Sequence, residues 1–416
     1  MRCINNMFFI FLLLDFLLVI LLGGVVIAGM KSYEWYDDRF LDTKIGGWFA
    51  KQEYVCVQLF PPAENLRSMQ EMESFYINLS STHSGKSKKD VYRDGKWYEN
   101  FTFEVHSRGG QVSFYVHLNK NFLPLLRSSL AAHYPGSTIV EIPDPLSAFP
   151  KTWEGKAGPY EHLFTSDIIF GSSELFPLKS WKNFQIGSNS PLTDPMTTLI
   201  SNFENIDSED YIILQFVMQP QTFGKEQKVG LQEELKGLRD KYSKNSKVEI
   251  GPDNSIQMIT KQERTILESC EAKLNLTNFK IKMRTAIFST KPGPQRNLGM
   301  IMSFFKEFNT DVQFTRPDPD TKTTAAAEDV TFGPFVDKQF WKKENDYRRQ
   351  NGYKAIINRS LGRGSTCKFM DVESLASLFH FPATEMIDQS LASRVSTDYG
   401  NVNALPSSTP PSNLPM

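Results

Sequence analysis

Cysteine and histidine are scarce in this sequence of 416 residues, which contains four cysteines and six histidines. Cys3, Cys56, Cys270 and Cys367 lie far apart and form no C-x-x-C pair. The sequence therefore gives little support to a zinc knuckle or a dithiol redox site. The scatter is typical of a chain in a reducing compartment.

A surplus of charge of one sign is also absent. Lysine and arginine number 46, aspartate and glutamate 47, and the net charge is -1. This balance argues against a protein whose whole surface wraps nucleic acid, but it permits a local basic patch. The apolar fraction of 40% and the charged fraction of 22% are those of an ordinary globular chain.

Sequence signatures of catalysis are missing as well. Gly85-Lys86-Ser87 matches the end of a phosphate loop, but Ser80 stands where that loop needs its first glycine, so we interpret the triplet as a polar loop. The patterns G-x-S-x-G, H-E-x-x-H and H-x-E with C-x-x-C do not occur. We expect no catalytic residue, no metal site and no cofactor, and hence a protein that is not an enzyme.

The histidines have structural explanations. His106 and His117 flank the pair Gly109-Gly110, and a turn there would place residue 117 opposite residue 102 and residue 106 opposite residue 113. The two rings would then not face each other, which argues against a metal site. His380 stands at the end of a predicted helix, where a cation suits the helix dipole.

One long apolar run is present near the N-terminus. Phe8 to Met30 contains a single charged residue, Asp15. About 20 apolar residues span a bilayer, whereas the apolar part of a signal peptide has about 7–15. We therefore predict an uncleaved transmembrane anchor. Asp15 either faces a partner helix, as an ionisable group at that depth suggests, or lies close enough to the membrane surface to be tolerated.

The anchor sets the expected location. Arg2 precedes the run, and Lys31, Arg39 and Lys44 follow it. Because positive charge favours the cytoplasmic side, we predict a single-pass protein of the cytoplasmic membrane with a cytoplasmic body.

Alternating apolar and helical patterns organise the body. The first part predicts a strand at 54–60, a helix at 63–79, a hairpin of 101–107 and 111–118, a helix at 121–134 and a strand at 137–142. This β-α-β-β-α-β order is the ferredoxin-like unit. A helix is predicted at 191–203, before a similar order recurs with insertions. That second part predicts strands at 210–220, 278–290 and 311–315, and helices at 228–242, 261–274 and 297–309.

The predicted fold class is therefore α+β, with an N-terminal transmembrane helix and two ferredoxin-like units joined by a Pro/Gly-rich connector. The predicted segments are an anchor at 1–30, a juxtamembrane segment at 31–52, a first unit at 53–145, a connector with short strands at 146–205, a second unit at 206–316, an irregular region with short helices at 317–390 and a disordered tail at 391–416.

A basic and aromatic cluster lies in the irregular region. Its members are Trp341, Lys342, Lys343, Tyr347, Arg348, Arg349, Tyr353 and Lys354. Proteins that bind single-stranded nucleic acid combine cations with stacking aromatics in this way. The alternative is a solvated amphipathic helix whose long side chains cover apolar surface.

Three segments resemble a known family. They are the strand-helix-strand at 112–142, the segment D-V-E-S-L-A-S-L-F-H-F-P at 371–382, which is similar to T-E-E-L-A-T-L-F-H-F-P, and Pro411 to Pro415, which is similar to P-x-N-L-P. The family is the membrane-linked N-terminal region of FtsK/HerA-like and type IV secretion (conjugative coupling) ATPases of candidate-phylum bacteria. The resemblance covers about residues 50–416.

The resemblance implies the accessory part of a DNA-translocating or secretion machine. No phosphate loop follows the P-x-N-L-P-like segment before Met416, so we expect a separately encoded hexameric-type ATPase as partner, besides the membrane. The expected function is that of a non-enzymatic scaffold. A membrane-tethered nucleic-acid-binding module is the alternative, and a homo-oligomer stays open.

Overall fold

The computed structural model of the chain describes residues 43–62, 69–184, 194–221, 223–245, 247–249, 255–257, 259–323 and 334–382, with a few positions between 21 and 41. Most of the predicted anchor at 1–30, including Asp15, lies outside the described residues, as does the predicted tail at 391–416. Among the helices described, none has the length and apolar character needed to cross a membrane.

The strands, in chain order, are β1 (Tyr54–Phe60), β2 (Phe101–Arg108), β3 (Gln111–Asn119), β4 (Thr138–Ile142), β5 (His162–Phe170), β6 (Asp210–Pro220), β7 (Lys247–Glu249), β8 (Ser255–Gln257), β9 (Asn278–Ser289), β10 (Thr315–Pro317) and β11 (Lys368–Asp371).

The α-helices are α1 (Met69–Ser80), α2 (Lys88–Tyr92), α3 (Leu123–His133), α4 (Trp181–Phe184), α5 (Pro195–Glu204), α6 (Lys225–Asn245), α7 (Lys261–Asn275), α8 (Leu298–Glu307), α9 (Pro334–Ile357) and α10 (Val372–Leu378), and 3₁₀ turns lie at Lys120–Phe122 and Pro294–Asn297. Polar caps start several of them. Asp194 accepts hydrogen bonds from the first amides of α5, and Thr260 with Glu263 forms a capping box at α7.

Nine of the strands form one sheet in the order β10-β5-β9-β6-β2-β3-β1-β4, and β11 pairs with β9. The pairings within it are antiparallel. The chain thus has a mixed α+β fold, as predicted. Strands β1 to β4 lie in the spatial order 4-1-3-2, and β5, β6, β9 and β10 repeat that order. The two halves meet where β2 pairs with β6, from Phe101 opposite Met218 to Arg108 opposite Tyr211.

Most predicted elements are confirmed, and three differ. The region predicted as irregular with short helices contains α9, a helix of 24 residues. The nine-residue β5 lies inside the segment predicted as a connector, and it pairs with β9 in the middle of the second half. Its sequence H-L-F-T-S-D-I-I-F contains an aspartate and three other polar residues, which obscured the strand pattern. The last strand of that half is 315–317 rather than 311–315.

One face of the sheet is apolar. Ile212, Leu214, Phe216 and Met218 of β6 point to this face, because alternate residues of a strand share a face. The helices α1, α3, α5, α8 and α10 contribute the facing side chains, among them Phe75, Leu126, Leu199, Phe305 and Leu375. This layer holds the main hydrophobic core.

The residues after α10 enter this core at the junction of the two halves. The Phe379 ring centroid lies 5.1 Å from that of Phe103 on β2, 6.0 Å from that of Phe114 on β3 and 6.0 Å from that of Phe216 on β6. The Tyr76 hydroxyl of α1 donates to the Phe379 carbonyl at 3.2 Å. A single C-terminal side chain therefore packs on strands of both halves.

The other face of the sheet is covered by α9 and by residues 143–160. Trp153, Tyr160, Tyr211, Phe288 and Tyr353 form an aromatic cluster there. Next to this cluster the face becomes polar and charged, which is unusual for a buried sheet surface.

A long insertion separates β6 from β9, whereas only Gly109 and Gly110 separate β2 from β3 in the first half. It contains α6, α7 and the two-stranded pair β7-β8. Leu231 and Leu235 of α6 pack with Leu267, Cys270 and Leu274 of α7 in a small core of their own.

The chain divides into two compact units. One consists of Met1–Glu53 and Ser84–Tyr98, and the other consists of Tyr54–His83 and Glu99–Met416. Within the former, Ser87 caps α2 through a capping box with Asp90. The Gly85-Lys86-Ser87 triplet lies in a loop, as predicted, and the short helix that follows it at Lys88–Tyr92 was not predicted. Gly95 has φ +68°, and a Cβ there would lie 2.3 Å from the Lys44 carbonyl oxygen, so only glycine fits.

We expect two glycine-to-alanine changes in helices to act in opposite directions. Gly237 of α6 has open space around it, so Gly237→Ala should stabilise by up to about 1 kcal/mol through helix propensity. A Cβ at Gly352 of α9 would lie 2.0 Å from Thr165 Oγ1 and 2.8 Å from Thr165 Cβ. Overpacking of this kind costs about 1–3 kcal/mol, so Gly352→Ala should destabilise. Urea unfolding measures both, and adding Thr165→Ala should recover stability at Gly352→Ala. An equal gain at the two sites would contradict the close helix-sheet contact.

Candidate functional site

The polar face of the sheet gathers buried side chains from both halves. Glu104 and His106 lie on β2. On β6, Gln215 lies opposite Glu104, and Tyr211 lies opposite Arg108, two residues along β2 from His106. All four side chains are buried. Gln215 Nε2 donates to Glu104 Oε1 at 2.7 Å and to the Ile356 carbonyl at 3.1 Å, so it joins the sheet to the end of α9.

Arg359 is the cation of this group. It follows α9 and has φ +49°, a left-handed conformation that is uncommon outside glycine. Its guanidinium donates to Glu104 at 2.8 and 3.2 Å and to both carboxylate oxygens of Asp144 at 2.7 Å. The unusual backbone therefore places one arginine between two carboxylates.

The ion pair is charged despite its burial. Burial by itself would raise the pKa of Glu104, but the charge of Arg359 and hydrogen bonds from His106 and Arg359 hold that pKa below its usual range. Burial opposes the charge of Arg359 too, and Glu104 and Asp144 together raise the pKa of the guanidinium. The carboxylate and the guanidinium thus stabilise each other's charged form.

The ring of His106 lies between a hydroxyl and a carboxylate. The Tyr211 hydroxyl lies 2.7 Å from Nδ1, and Nε2 lies 3.1 Å from Glu104 Oε2. Because a carboxylate only accepts, Nε2 is the donor to Glu104. The line of hydroxyl, imidazole and carboxylate resembles a nucleophile with its base. Burial raises the pKa of Tyr211 well above its usual value, and Phe149, Tyr160 and Phe288 pack around its ring. The arrangement therefore orients side chains inside the fold.

A second buried pair lies on the same face of the other half. Arg284 Nε of β9 donates to Asp167 Oδ1 of β5 at 2.9 Å. The guanidinium also donates to the carbonyls of Ala355, Ser360 and Arg363. Asp167 in turn accepts from the Ser365 amide at 2.6 Å and the Ser365 hydroxyl at 2.8 Å. The pair fastens residues 355–365 to the sheet.

Gly364 is required beside this pair. It has φ +85°, and a Cβ there would lie 2.2 Å from Asp167 Oδ2. Any other side chain would push the loop away from the carboxylate that holds it.

A small cavity adjoins the second pair, between β5, β9 and α9. Its volume is about 50 Å³, and its lining includes Thr165, Asp167, Arg284, Arg348 and Asn351. The Thr165 hydroxyl has no hydrogen-bond partner among the described residues. Since a water molecule takes about 30 Å³ in the liquid, this space suits one or two waters rather than an organic substrate.

The structure separates the residues of the predicted nucleic-acid cluster. Lys342 and Lys343 are exposed, and the Tyr347 side chain is 63% exposed. Tyr353 is fully buried and its hydroxyl donates to the Pro150 carbonyl at 2.6 Å, so its ring cannot stack on a base.

The remaining members of the cluster are held by neighbouring groups or lie partly inside. Arg348 bonds Glu344 at 2.8 Å and the Pro319 carbonyl at 2.7 Å, and Arg349 bonds Asp346 at 2.9 Å. Lys354 is half-buried. Trp341 lies in α9, but its side chain is outside the described part of the chain.

The predicted histidine geometry is confirmed. Thr102 lies opposite His117, and His106 lies opposite Ser113. Within the described residues, no group of three or more His, Cys, Asp or Glu side chains is placed to hold a metal ion. His380 is buried at the end of α10 and bonds Asp194, the cap of α5.

The buried pairs were missed in the sequence, although a signal existed. Glu104 interrupts the strand F-T-F-E-V-H-S, and Arg284 interrupts K-I-K-M-R-T-A. A charge in the middle of an otherwise apolar strand indicates a buried partner, since lone charges are almost never fully buried. The partner cannot be predicted from the local sequence pattern, because Arg359 and Glu104 are 255 residues apart in the chain.

No protein-family model matches the chain, and no curated protein matches it. The functional conclusion therefore depends on the geometry of the described residues.

The partial burial of His117 predicts a pH-dependent stability. Burial, and next the charge of Arg359, lower the pKa of His117 to about 4 from an ordinary value near 6.5. The unfolded chain then binds a proton that the folded chain refuses, so stability falls as pH falls from about 6.5 toward 4. Between pH 7 and pH 4.5, the free energy of unfolding should fall by about 2 kcal/mol less in His117→Gln than in the wild type. Urea unfolding at the two pH values measures this, and equal losses would contradict a lowered pKa of the His117 ring.

Proposed function

We propose that this protein is a non-enzymatic scaffold anchored in the cytoplasmic membrane, which docks a separately encoded hexameric-type ATPase of a DNA-translocating or type IV secretion-like machine. The anchor in this proposal is the apolar run from Phe8 to Met30. The cytoplasmic body offers the ATPase a rigid sheet.

The observation that carries the proposal is that the junction of the two halves is fixed on both faces of the sheet. On the polar face, Arg359 and Gln215 tie Glu104 of β2 to β6 and to the end of α9. On the apolar face, Phe379 packs on β2, β3 and β6 together. The charged groups on the polar face bond other groups of the same protein, as expected of groups that hold the two halves together.

The topology supports the same interpretation. Each half has the strand order 4-1-3-2 with helices on one face, which is the arrangement of a ferredoxin-like unit. We propose that the body consists of two such units fused through β2 and β6. Fusion turns two small sheets into one wide sheet, and a wide rigid surface suits a large partner.

Reconstitution tests the proposal. The tagged full chain would be co-expressed with a phosphate-loop ATPase encoded beside it in the same genome, and the complex would be sized by light scattering in mild detergent. We expect co-elution of the two proteins. A chain that begins at residue 31 serves as the control, because it should lose membrane association and keep ATPase binding. A monomer with no bound ATPase and no effect on ATP hydrolysis would reject the proposal.

A second candidate is a membrane-tethered module that binds single-stranded nucleic acid. The exposure of Lys342, Lys343 and Tyr347 on one stretch of α9 favours it. Binding would fall steeply with salt, because it releases counterions from the phosphates. Replacing both lysines by alanine should weaken retardation of single-stranded DNA at low salt, with Lys241→Ala and Lys236→Ala on α6 as the control pair. No retardation by the wild type at low salt would remove this candidate.

A further inference from the structure

The C-terminal end of the described chain is inserted in the apolar core. Phe379 packs on Phe103, and the Phe381 ring centroid lies 5.1 Å from that of Tyr134. His380 lies between them and is 1% exposed. A histidine buried between two core phenylalanines needs polar partners, and it is the one residue of the H-F-P segment with an ionisable side chain.

Both ring nitrogens of His380 face acceptors. Nδ1 lies 3.0 Å from the Ser377 carbonyl oxygen, and Nε2 lies 2.8 Å from Asp194 Oδ1. A carbonyl and a carboxylate only accept hydrogen bonds, whereas a neutral imidazole has only one N–H. The two contacts can both be hydrogen bonds only when the ring carries both protons, as an imidazolium paired with Asp194.

Asp194 is fixed independently of the histidine. It caps α5, where Oδ1 accepts from the Met196 amide at 2.8 Å and from the Thr197 amide at 3.4 Å. The histidine thus joins the segment after α10 to the start of α5. Loss of its proton would turn one of its two hydrogen bonds into a contact between lone pairs.

Other charged groups lie on the elements packed around α10. They are Glu71 and Glu73 on α1, Lys182 on α4, Glu373 on α10, and Lys368 and Asp371 on β11. Glu307 of α8 lies near Asp194 and near Lys179. Of these, Glu373 pairs with Lys182 at 2.5 Å, Glu73 accepts from the Trp181 indole at 2.7 Å and Glu71 faces His133 at 3.4 Å. Within the described residues, Asp194 is the carboxylate at hydrogen-bond distance from His380.

We propose that His380 and Asp194 form a pH-sensitive latch that holds residues 379–382 in the core. The latch is closed when the ring is protonated and weakens as the ring loses its proton at higher pH. Opening withdraws Phe379 and Phe381 from the slot between Phe103, Phe114 and Tyr134.

Hydrogen exchange measures the latch directly. The Phe379 amide donates to the Leu375 carbonyl at 3.1 Å, so its exchange reports opening of the segment. A hydrogen bond between charged groups contributes about 1.5–3 kcal/mol. After correction for intrinsic exchange, we therefore expect the opening equilibrium of Phe379 to rise about ten- to a hundredfold from pH 5 to pH 9.

Variants separate the latch from ordinary destabilisation. His380→Gln should give an opening equilibrium that is raised at pH 5 and independent of pH. Asp194→Asn keeps the helix cap, because asparagine caps as well as aspartate, and should also flatten the pH profile. His133→Gln, a histidine at the end of α3, should keep the wild-type profile.

Nitrogen chemical shifts of the His380 ring in the wild-type chain provide a test that no variant can obscure. Imidazolium shifts at pH 6 would support the latch. A neutral ring at pH 6, or an opening equilibrium of Phe379 unchanged from pH 5 to pH 9, would overturn it.

Discussion

Replacing Arg359 by methionine should destabilise the protein by about 3–5 kcal/mol. The change removes the cation that bonds Glu104 at 2.8 Å and Asp144 at 2.7 Å. The Glu104 side chain is then left charged at 0% exposure or must take up a proton. Methionine replaces the apolar stem of the arginine side chain, so the loss measures the ion pair more than the packing of that stem.

Two further variants make this result specific. In the double variant Arg359→Met with Glu104→Gln, the buried charge is gone, and stability should recover part of the way toward wild type. Arg127→Met serves as the matched control, because Arg127 also bonds a carboxylate, Glu141, at 2.7 Å, but both side chains are about half exposed. Its unfolding midpoint should hardly move. Urea unfolding of the four proteins at pH 7 measures the set, and equal losses for Arg359→Met and Arg127→Met would reject the role of Arg359 in holding the two halves together.

Replacing Phe379 by alanine should cost about 3–5 kcal/mol. The ring is fully buried and touches Phe103, Phe114 and Phe216, which belong to three strands of the two halves. The cavity left behind would lie at the junction itself. We therefore expect a broader transition as well as a lower midpoint, because the two halves lose a shared contact and unfold less cooperatively.

Phe314→Ala is the control for that cavity. Phe314 is 44% exposed, so its loss removes far less buried apolar area. Calorimetry of wild type and both variants gives the midpoint and the ratio of van't Hoff to calorimetric enthalpy. A Phe379→Ala protein with the stability of Phe314→Ala would contradict the role of the C-terminal segment in joining the halves.

The histidine and basic clusters illustrate how far sequence reasoning reaches. The opposition of Thr102 with His117 followed from the glycine pair at 109–110, because a tight turn fixes the register of a hairpin. The exposure of the aromatic side chains in 341–354 could not be predicted from the sequence. Tyr347 and Tyr353 have similar surroundings in the sequence, yet one is 63% and the other 0% exposed. Which side of α9 meets the sheet depends on the packing partner.

The candidate site shows the same limit of prediction from sequence. Glu104 and Arg284 could have been singled out as charges inside strands, since local pattern places them. Their roles as partners of Arg359 and Asp167 needed the assembled sheet, because the chain separations are 255 and 117 residues. The positive φ of Arg359 is likewise a product of tertiary contacts, since no local rule assigns that conformation to arginine.

The sequence by itself determined the order of most strands and helices, the first β-α-β-β-α-β unit and its hairpin register. These depend on side-chain periodicity and on turn residues, which act over a few positions. Only the tertiary structure decided that β5 belongs to the sheet, that β2 pairs with β6, and that Arg359 and Phe379 close the junction from opposite faces. Those contacts join residues far apart in the chain, and their free energy exists only once both halves are folded against each other.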